Sequence, residues 1–281
     1  MASNYAKATI KKYDVKQRKG FPKTLLIPKQ LIAVVGVKTK PIYELEDIIA
    51  EAIKEAKTLY EAGLRNIMIQ NVKDVPFNDS GNLQTVSAMT AICKAIRDAL
   101  PQDCILGLSM LKDNGKALVT VAAATQMDYI RPKCYIGAVV AHDGIHEGII
   151  NDVLNTKEEL KWNGEIIPDI FDRSTSRLGD TTLLEAVGQA TSFGLCNAIN
   201  IAGKNFAESL TMVDEIKKSF PNLYVNLGGG ANLNNLEEIY KHFDGAFVSS
   251  CLRKSGNMTG SLDKAKLDNF FKKYKTITKE K

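Results

Sequence analysis

Eight short β-prone runs, each followed by a stretch with helical spacing, recur along the 281-residue sequence, and this alternation admits few folds. Strand and helix periodicities that alternate in this way belong to βα units, whose strands lie parallel in one sheet. The runs fall at 31–37, 66–70, 105–109, 129–131, 166–170, 198–202, 224–227 and 246–249. Eight units predict a single closed (β/α)8 TIM barrel, for which about 250 residues is the usual length. A helix from about Tyr43 to Ala62 puts Ile48, Ile49, Ala52, Ile53 and Ala56 on one stripe and stops at Gly63. Asp180 is expected to cap a helix beginning at Thr181, Asn232 one beginning at Leu233, and Ser261 or Asp263 the last. The expected organisation is a basic extension over residues 1–23, a barrel over 24–275 and a Lys-rich tail over 276–281.

Composition narrows the partners. With 44% hydrophobic, 25% charged and 7% aromatic residues, the chain falls in the range of ordinary globular domains. No apolar run reaches the 18 residues that a helical membrane span needs. The net charge of +5 would suit nucleic acid if the folded body carried it. Instead, residues 1–23 hold seven Lys or Arg against Asp14, and residues 272–281 hold five Lys against Glu280. The two ends thus carry +10 and the stretch 24–271 about −5, the wrong sign for a phosphate backbone. We read the ends as solvated and expect no nucleic-acid partner. The N-terminus has no apolar segment of the secretory kind, and the five cysteines are odd in number and form no C-x-x-C pair. Both features point to reduced thiols in the cytoplasm. A homo-oligomer is compatible with the sequence.

Loop lengths point to the working face. Helix-to-strand connections such as 62–65 and 243–245 are short, whereas those after the second, fourth and fifth strands, 71–80, 132–148 and 171–179, are long. In a barrel these long loops gather at the C-terminal face. There, Gly228, Gly229 and Gly230 stand between the seventh strand and a helix, so their N–H groups can approach an anion at a helix N-terminus. The eighth strand leads into Ser249 and Ser250, followed by Arg253 and Lys254. Loops seven and eight of barrels recurrently hold phosphate. The plainer alternative is a tight turn beside solvated cations.

Other residues at the same face can carry chemistry. Asp169 or Asp172, beside Arg173 and Arg177, can act as general base, or the group can be a salt bridge that shapes the loop. Arg131 and Lys133 alternate onto one face after the fourth strand, with Lys112 and Asp113 past the third, and can clamp an anionic substrate together with Asn71 and Arg173. Lys204, after the sixth strand, is placed for imine chemistry, which requires a depressed pKa, although a surface lysine is commoner. His142 and His146, four apart, can serve as acid or base or hold a divalent metal. Gly144 between them weakens a helical pair, so we expect hydrogen-bonded loop histidines and no cofactor.

The chain also resembles the BtpA/SgcQ family from about Leu31 to Tyr274. The likeness rests on the first strand with Pro41 and on Gln70-Asn71 with Asp74-Val75-Pro76-Phe77. It continues in Ala122-Ala123-Ala124-Thr125 before Tyr129-Ile130-Arg131, in Gly137-Ala138 with Gly144-Ile145 and Glu147-Gly148, and in the glycine loop with Asp244-Gly245-Ala246. The resemblance implies a barrel like those that bind ribulose phosphate. One branch of the family is linked to photosystem I assembly and another to sugar-utilisation operons, so no single reaction transfers. This chain departs from the family pattern at Gln70, at His142 and Asp143, and at Phe171, Arg173 and Ser174, where the family often has His and Lys. The reading is therefore an enzyme acting on a phosphorylated small metabolite, a sugar phosphate or nucleotide-like, by isomerase, lyase or hydrolase chemistry. The alternative is a noncatalytic binding or assembly factor that retains the barrel.

Overall fold

Residues 30–279 are described by a computed structural model; the expected extension over residues 1–23 lies outside them. Within these described residues the barrel strands are β1 (Gln30–Gly36), β2 (Asn66–Gln70), β3 (Ile105–Ser109) and β4 (Tyr129–Ile130). They continue with β5, in two pieces (Glu165–Ile166 and Asp169–Phe171), β6 (Ala198–Ile201), β7 (Tyr224–Leu227) and β8 (Gly245–Val248). All neighbours pair in parallel, and the two ends of the sheet are the two pieces of β5. One strand thus closes the ring: Ile167 N–H donates to Ile130 O at 2.9 Å and Asp169 N–H to Pro132 O at 2.9 Å, while Pro168 O accepts from Asn200 N–H at 2.8 Å. The fifth run, expected unbroken over 166–170, is interrupted because Pro168 has no N–H for the ladder.

The helices are α1 (Leu45–Glu61), α2 (Leu83–Ala99), α3 (Gly115–Ala124), α4 (Ile150–Glu159), α5 (Leu183–Ser192), α6 (Phe206–Ser219), α7 (Leu236–His242) and α8 (Lys264–Lys279). None among the described residues is long and apolar enough to cross a membrane. Two expected caps are corrected. Thr182, not Asp180, caps α5: its hydroxyl accepts from Glu185 N–H at 3.3 Å and Glu185 accepts from Thr182 N–H at 2.9 Å, a reciprocal capping box. The helix expected from Leu233 starts at Leu236, because Asn232 Oδ1 accepts from Asn234 N–H and Asn235 Oδ1 from Asn232 N–H, which makes a turn of 232–235. Asp263 caps α8 by accepting from Lys266 N–H at 3.1 Å. This helix runs to Lys279, so residues 276–279, expected as tail, extend it.

Alternation along the strands divides the core in two. One set of side chains packs between strands and helices, and the other, including Ile32, Val34, Met68, Tyr129, Ile167 and Phe247, fills the barrel. Tyr129 crosses the interior to reach Asn66 Oδ1 at 2.8 Å, over Gly107, where a Cβ would stand 2.0 Å from the ring. Two residues further along β2, β3, β4, β5 and β7 the inward positions become Gln70, Ser109, Arg131, Asp169 and Gly228. The filling therefore changes from apolar to polar at the C-terminal mouth. Above the mouth, the strand Ala138–Ala141 pairs antiparallel with Gly144–Glu147 and with Ser176–Arg177, so the fourth and fifth loops form one small sheet.

Candidate functional site

Arg131 is the centre of the mouth. It sits at the first inward position beyond β4, is buried, and holds its guanidinium carbon over the Phe247 ring, 4.0 Å from the centroid. Nε donates to Asp169 Oδ1 at 2.8 Å and Nη2 to Asp169 Oδ2 at 3.1 Å. Nη2 also reaches across the barrel to Gly228 O at 2.9 Å. Two residues beyond Arg131, Lys133 Nζ bridges Asp169 and Asp172, and Asp172 accepts in addition from Ser174 N–H and Oγ at 2.8 and 2.5 Å. Burial opposes ionisation of Asp172, yet Lys133 and the Ser174 donors outweigh it and hold this carboxyl far below the usual range. Both expected bases are thus engaged by cations, which are Arg131 and Lys133 and not the Arg173 and Arg177 beside them in sequence.

The glycines meet a second arginine. A Cβ on Gly229 would lie 3.8 Å from Arg173 Nη2, and one on Gly230 3.3 Å from Arg173 Nη1. Gly230 has φ of +88°, a left-handed conformation that glycine adopts without strain. Gly228 N–H still belongs to the ladder, donating to Ile201 O at 2.8 Å. Gly230 O accepts from Asn232 and Asn235 side chains, so the loop is pinned from below. Arg131, Arg173 and the three glycines therefore share one region, drawn from the fourth, fifth and seventh loops.

Several expected residues are employed elsewhere. Arg253 is fully buried: it binds Glu55 through both amino groups at 2.7 and 3.3 Å and donates to Val34 O and Gly260 O, each at 2.7 Å. It ties the eighth loop to β1 and α1 and is not an anion ligand. Ser249 Oγ accepts from Arg253 Nε at 3.4 Å, and no hydrogen bond among the described residues joins Ser249 or Ser250 to the glycines. Asn71 spends both ends of its amide between the second and third loops, accepting from Leu111 N–H at 2.7 Å and donating to Asp74 at 3.2 Å. Lys204 is exposed, without the apolar pocket that an imine-forming lysine needs; Glu208 engages its backbone N–H.

His142 and His146 lie on a β-hairpin, not a helix: His142 is exposed in its two-residue turn, and His146 Nε2 contacts Asp143 at 2.8 Å. Asp143 also binds Lys112 at 2.9 Å, which together with His146 holds its carboxyl far below the usual range. Among the described residues no three His, Cys, Asp or Glu side chains gather as metal ligands would. One group exceeds what the sequence suggests: Asp113, a mere charge beside Lys112 when read along the chain. Its Oδ2 accepts from the N–H groups of Lys133 and Cys134, and its Oδ1 is buried without a partner among the described residues. Burial pushes its carboxyl up to about 7, against the opposing pull of those N–H groups and Lys133.

The profile of the BtpA family matches residues 28–276. An uncharacterized protein of Thermococcus kodakarensis is 29% identical over 249 residues, 85% of this chain and 93% of its own. The photosystem I biogenesis protein BtpA of Synechocystis is 25% identical over 232 residues, 80% of this chain and 79% of its own. Among solved structures, phosphoribosyl anthranilate isomerase from Thermus thermophilus superposes with a TM-score of 0.53 at 12% identity, covering 88% of this chain and 99% of that one. At that identity the likeness speaks for the barrel fold.

Proposed function

The chain belongs to the BtpA family, and we propose on that premise that it binds the phosphate of a phosphorylated small metabolite at its barrel mouth. The carrying observation is Arg173 lying over Gly229 and Gly230 with Arg131 anchored beside them. Glycine N–H groups and an exposed guanidinium make a fork suited to phosphate oxygens, and barrel loops after the seventh strand recurrently build such sites. The solved isomerase adds a barrel of the same shape in a protein named for a phosphoribosyl compound. We read the protein as an enzyme acting on that metabolite, by isomerase, lyase or hydrolase chemistry.

Thermal unfolding against D-ribose 5-phosphate, inorganic phosphate and unphosphorylated ribose tests this. Ligand at about 100 times its dissociation constant adds about 2.7 kcal/mol. Phosphorylated probes raise the midpoint, ribose does not, and Gly229→Glu removes the effect by placing a negative charge in the cradle. Phosphate esters that leave the midpoint unmoved would overturn the reading. A noncatalytic binding factor is the second reading. It is favoured by Asp169 and Asp172 being bonded to Arg131 and Lys133 and by the name of the Synechocystis relative. Binding without turnover of any bound ester distinguishes it.

A further inference from the structure

Asp113 lies outside the anion cradle and has an unfinished set of hydrogen bonds. Its Oδ2 accepts from Lys133 N–H at 2.7 Å and Cys134 N–H at 2.5 Å, while Oδ1 is buried and has no partner among the described residues. A second orphan lies in the adjoining loop: Ser80 Oγ is buried and unpartnered among them, and Ser80 N–H donates to Lys112 O at 3.2 Å. Ser80 is thus bonded to the residue next to Asp113 in sequence, and a buried polar atom without a partner, such as Asp113 Oδ1, leaves a hydrogen bond for something else to complete. The charged groups facing Asp113 are Lys133, from the loop after β4, and Asp169, on β5; Lys112 is turned away onto Asp143.

Because two N–H donors occupy Oδ2, the proton of the neutral carboxyl has one place left, Oδ1. A proton there is a hydrogen-bond donor that meets no acceptor among the described residues. We propose that Asp113 is the neutral donor of the mouth, holding its proton on Oδ1 for a carbonyl oxygen at the unphosphorylated end of the ligand. Such a donor polarises the carbonyl without adding negative charge next to a phosphate. Burial, which raises this carboxyl to about 7, supports the neutral form. The inference rests on the anion cradle of Arg173 and the glycines, since that cradle fixes the other end of the ligand.

The test uses two probes, inorganic phosphate and dihydroxyacetone phosphate, titrated calorimetrically into the full chain and its Asp113→Asn and Asp113→Ala variants between about pH 6 and about pH 8.5. The Asn amide keeps an oxygen for the two N–H donors and offers an NH2 where the carboxyl proton was. Dihydroxyacetone phosphate should therefore bind the wild type at the acid end and Asp113→Asn about equally, and Asp113→Ala roughly tenfold more weakly, the worth of one hydrogen bond. The ratio of wild-type to Asp113→Asn affinity should fall as pH rises, a comparison that cancels titration of the phosphate itself. Inorganic phosphate should bind all three alike. A ratio independent of pH, or no loss in Asp113→Ala, overturns the role of Asp113 and leaves the cradle standing. No binding of either probe overturns the cradle and the donor with it. Should Asp113→Ala not fold, the Asp113 carboxyl is followed by carbon NMR against Asp113→Asn, and titration in the ordinary carboxylate range refutes the neutral donor.

Discussion

Arg253 and Arg173 carry the same charge and do different work because of what each one meets. Arg253 is wholly buried against Glu55, whose side chain is 14% exposed. Removing one member of such a pair leaves the other without compensation, at a cost of about 3–5 kcal/mol. Arg253→Met should lower the free energy of urea unfolding by about that much, and Glu55→Leu in the same chain should restore part of it. Arg173 is exposed, so Arg173→Ala should leave stability within about 0.5 kcal/mol. It should still weaken a phosphate ester by roughly tenfold to a hundredfold, the worth of charge-assisted hydrogen bonds. Calorimetry on the folded variant separates these effects. From sequence the two arginines are equal candidates, since a cation's role depends on the carboxylate opposite it, and Glu55 lies 198 residues away along the chain.

At the scale of elements, the strands were legible because their apolar runs are local, and the same period of two places Gln70, Ser109, Arg131 and Asp169 inward at the mouth. Breaks and caps were harder. Pro168 stands in the fifth run, and its missing N–H was a readable reason for the split. The Thr182-x-x-Glu185 spacing was likewise present as a capping box beside the less specific Asp180. Clustered asparagines over 232–235 satisfy one another, and no local rule says which of them starts the helix. The interior offers a sharper test of how elements fit. Gly107 on β3 lets the Tyr129 ring of β4 pass, and a methyl there would overlap it. Gly107→Ala should destabilise by about 1–3 kcal/mol or more. Tyr129→Val should cost stability alone but relieve Gly107→Ala, so the double mutant should be less destabilised than the sum of the singles. Additive losses in a double-mutant cycle would show that the two positions do not share that space.

For the whole molecule, the mouth gathers charges that stability itself must answer to. The order of residues along the chain puts Arg131, Lys133, Asp169, Arg173 and the glycines at one end, because barrel topology brings every strand terminus there. It does not mark Asp113, whose unusual state comes from burial, which outweighs the opposing pull of two backbone donors supplied by another loop. The carboxyl of Asp113 lies near 7 in the folded protein against an ordinary 3.8. Between those values the folded state holds a proton that the unfolded chain has lost, so stability falls as pH rises through this window. The loss approaches a few kcal/mol in total, at about 1.4 kcal/mol for each pH unit between the two values. Asp172 acts in the opposite sense: its ionised form is favoured by folding, so its contribution is complete above the usual carboxylate range and is lost as pH falls below it. Unfolding free energies from urea titrations at about pH 5 and about pH 8 should therefore decline for the wild type and stay nearly level for Asp113→Asn, which has no proton to lose. Equal slopes in the two proteins would place the pH dependence in another group and remove the burial of Asp113 as its cause.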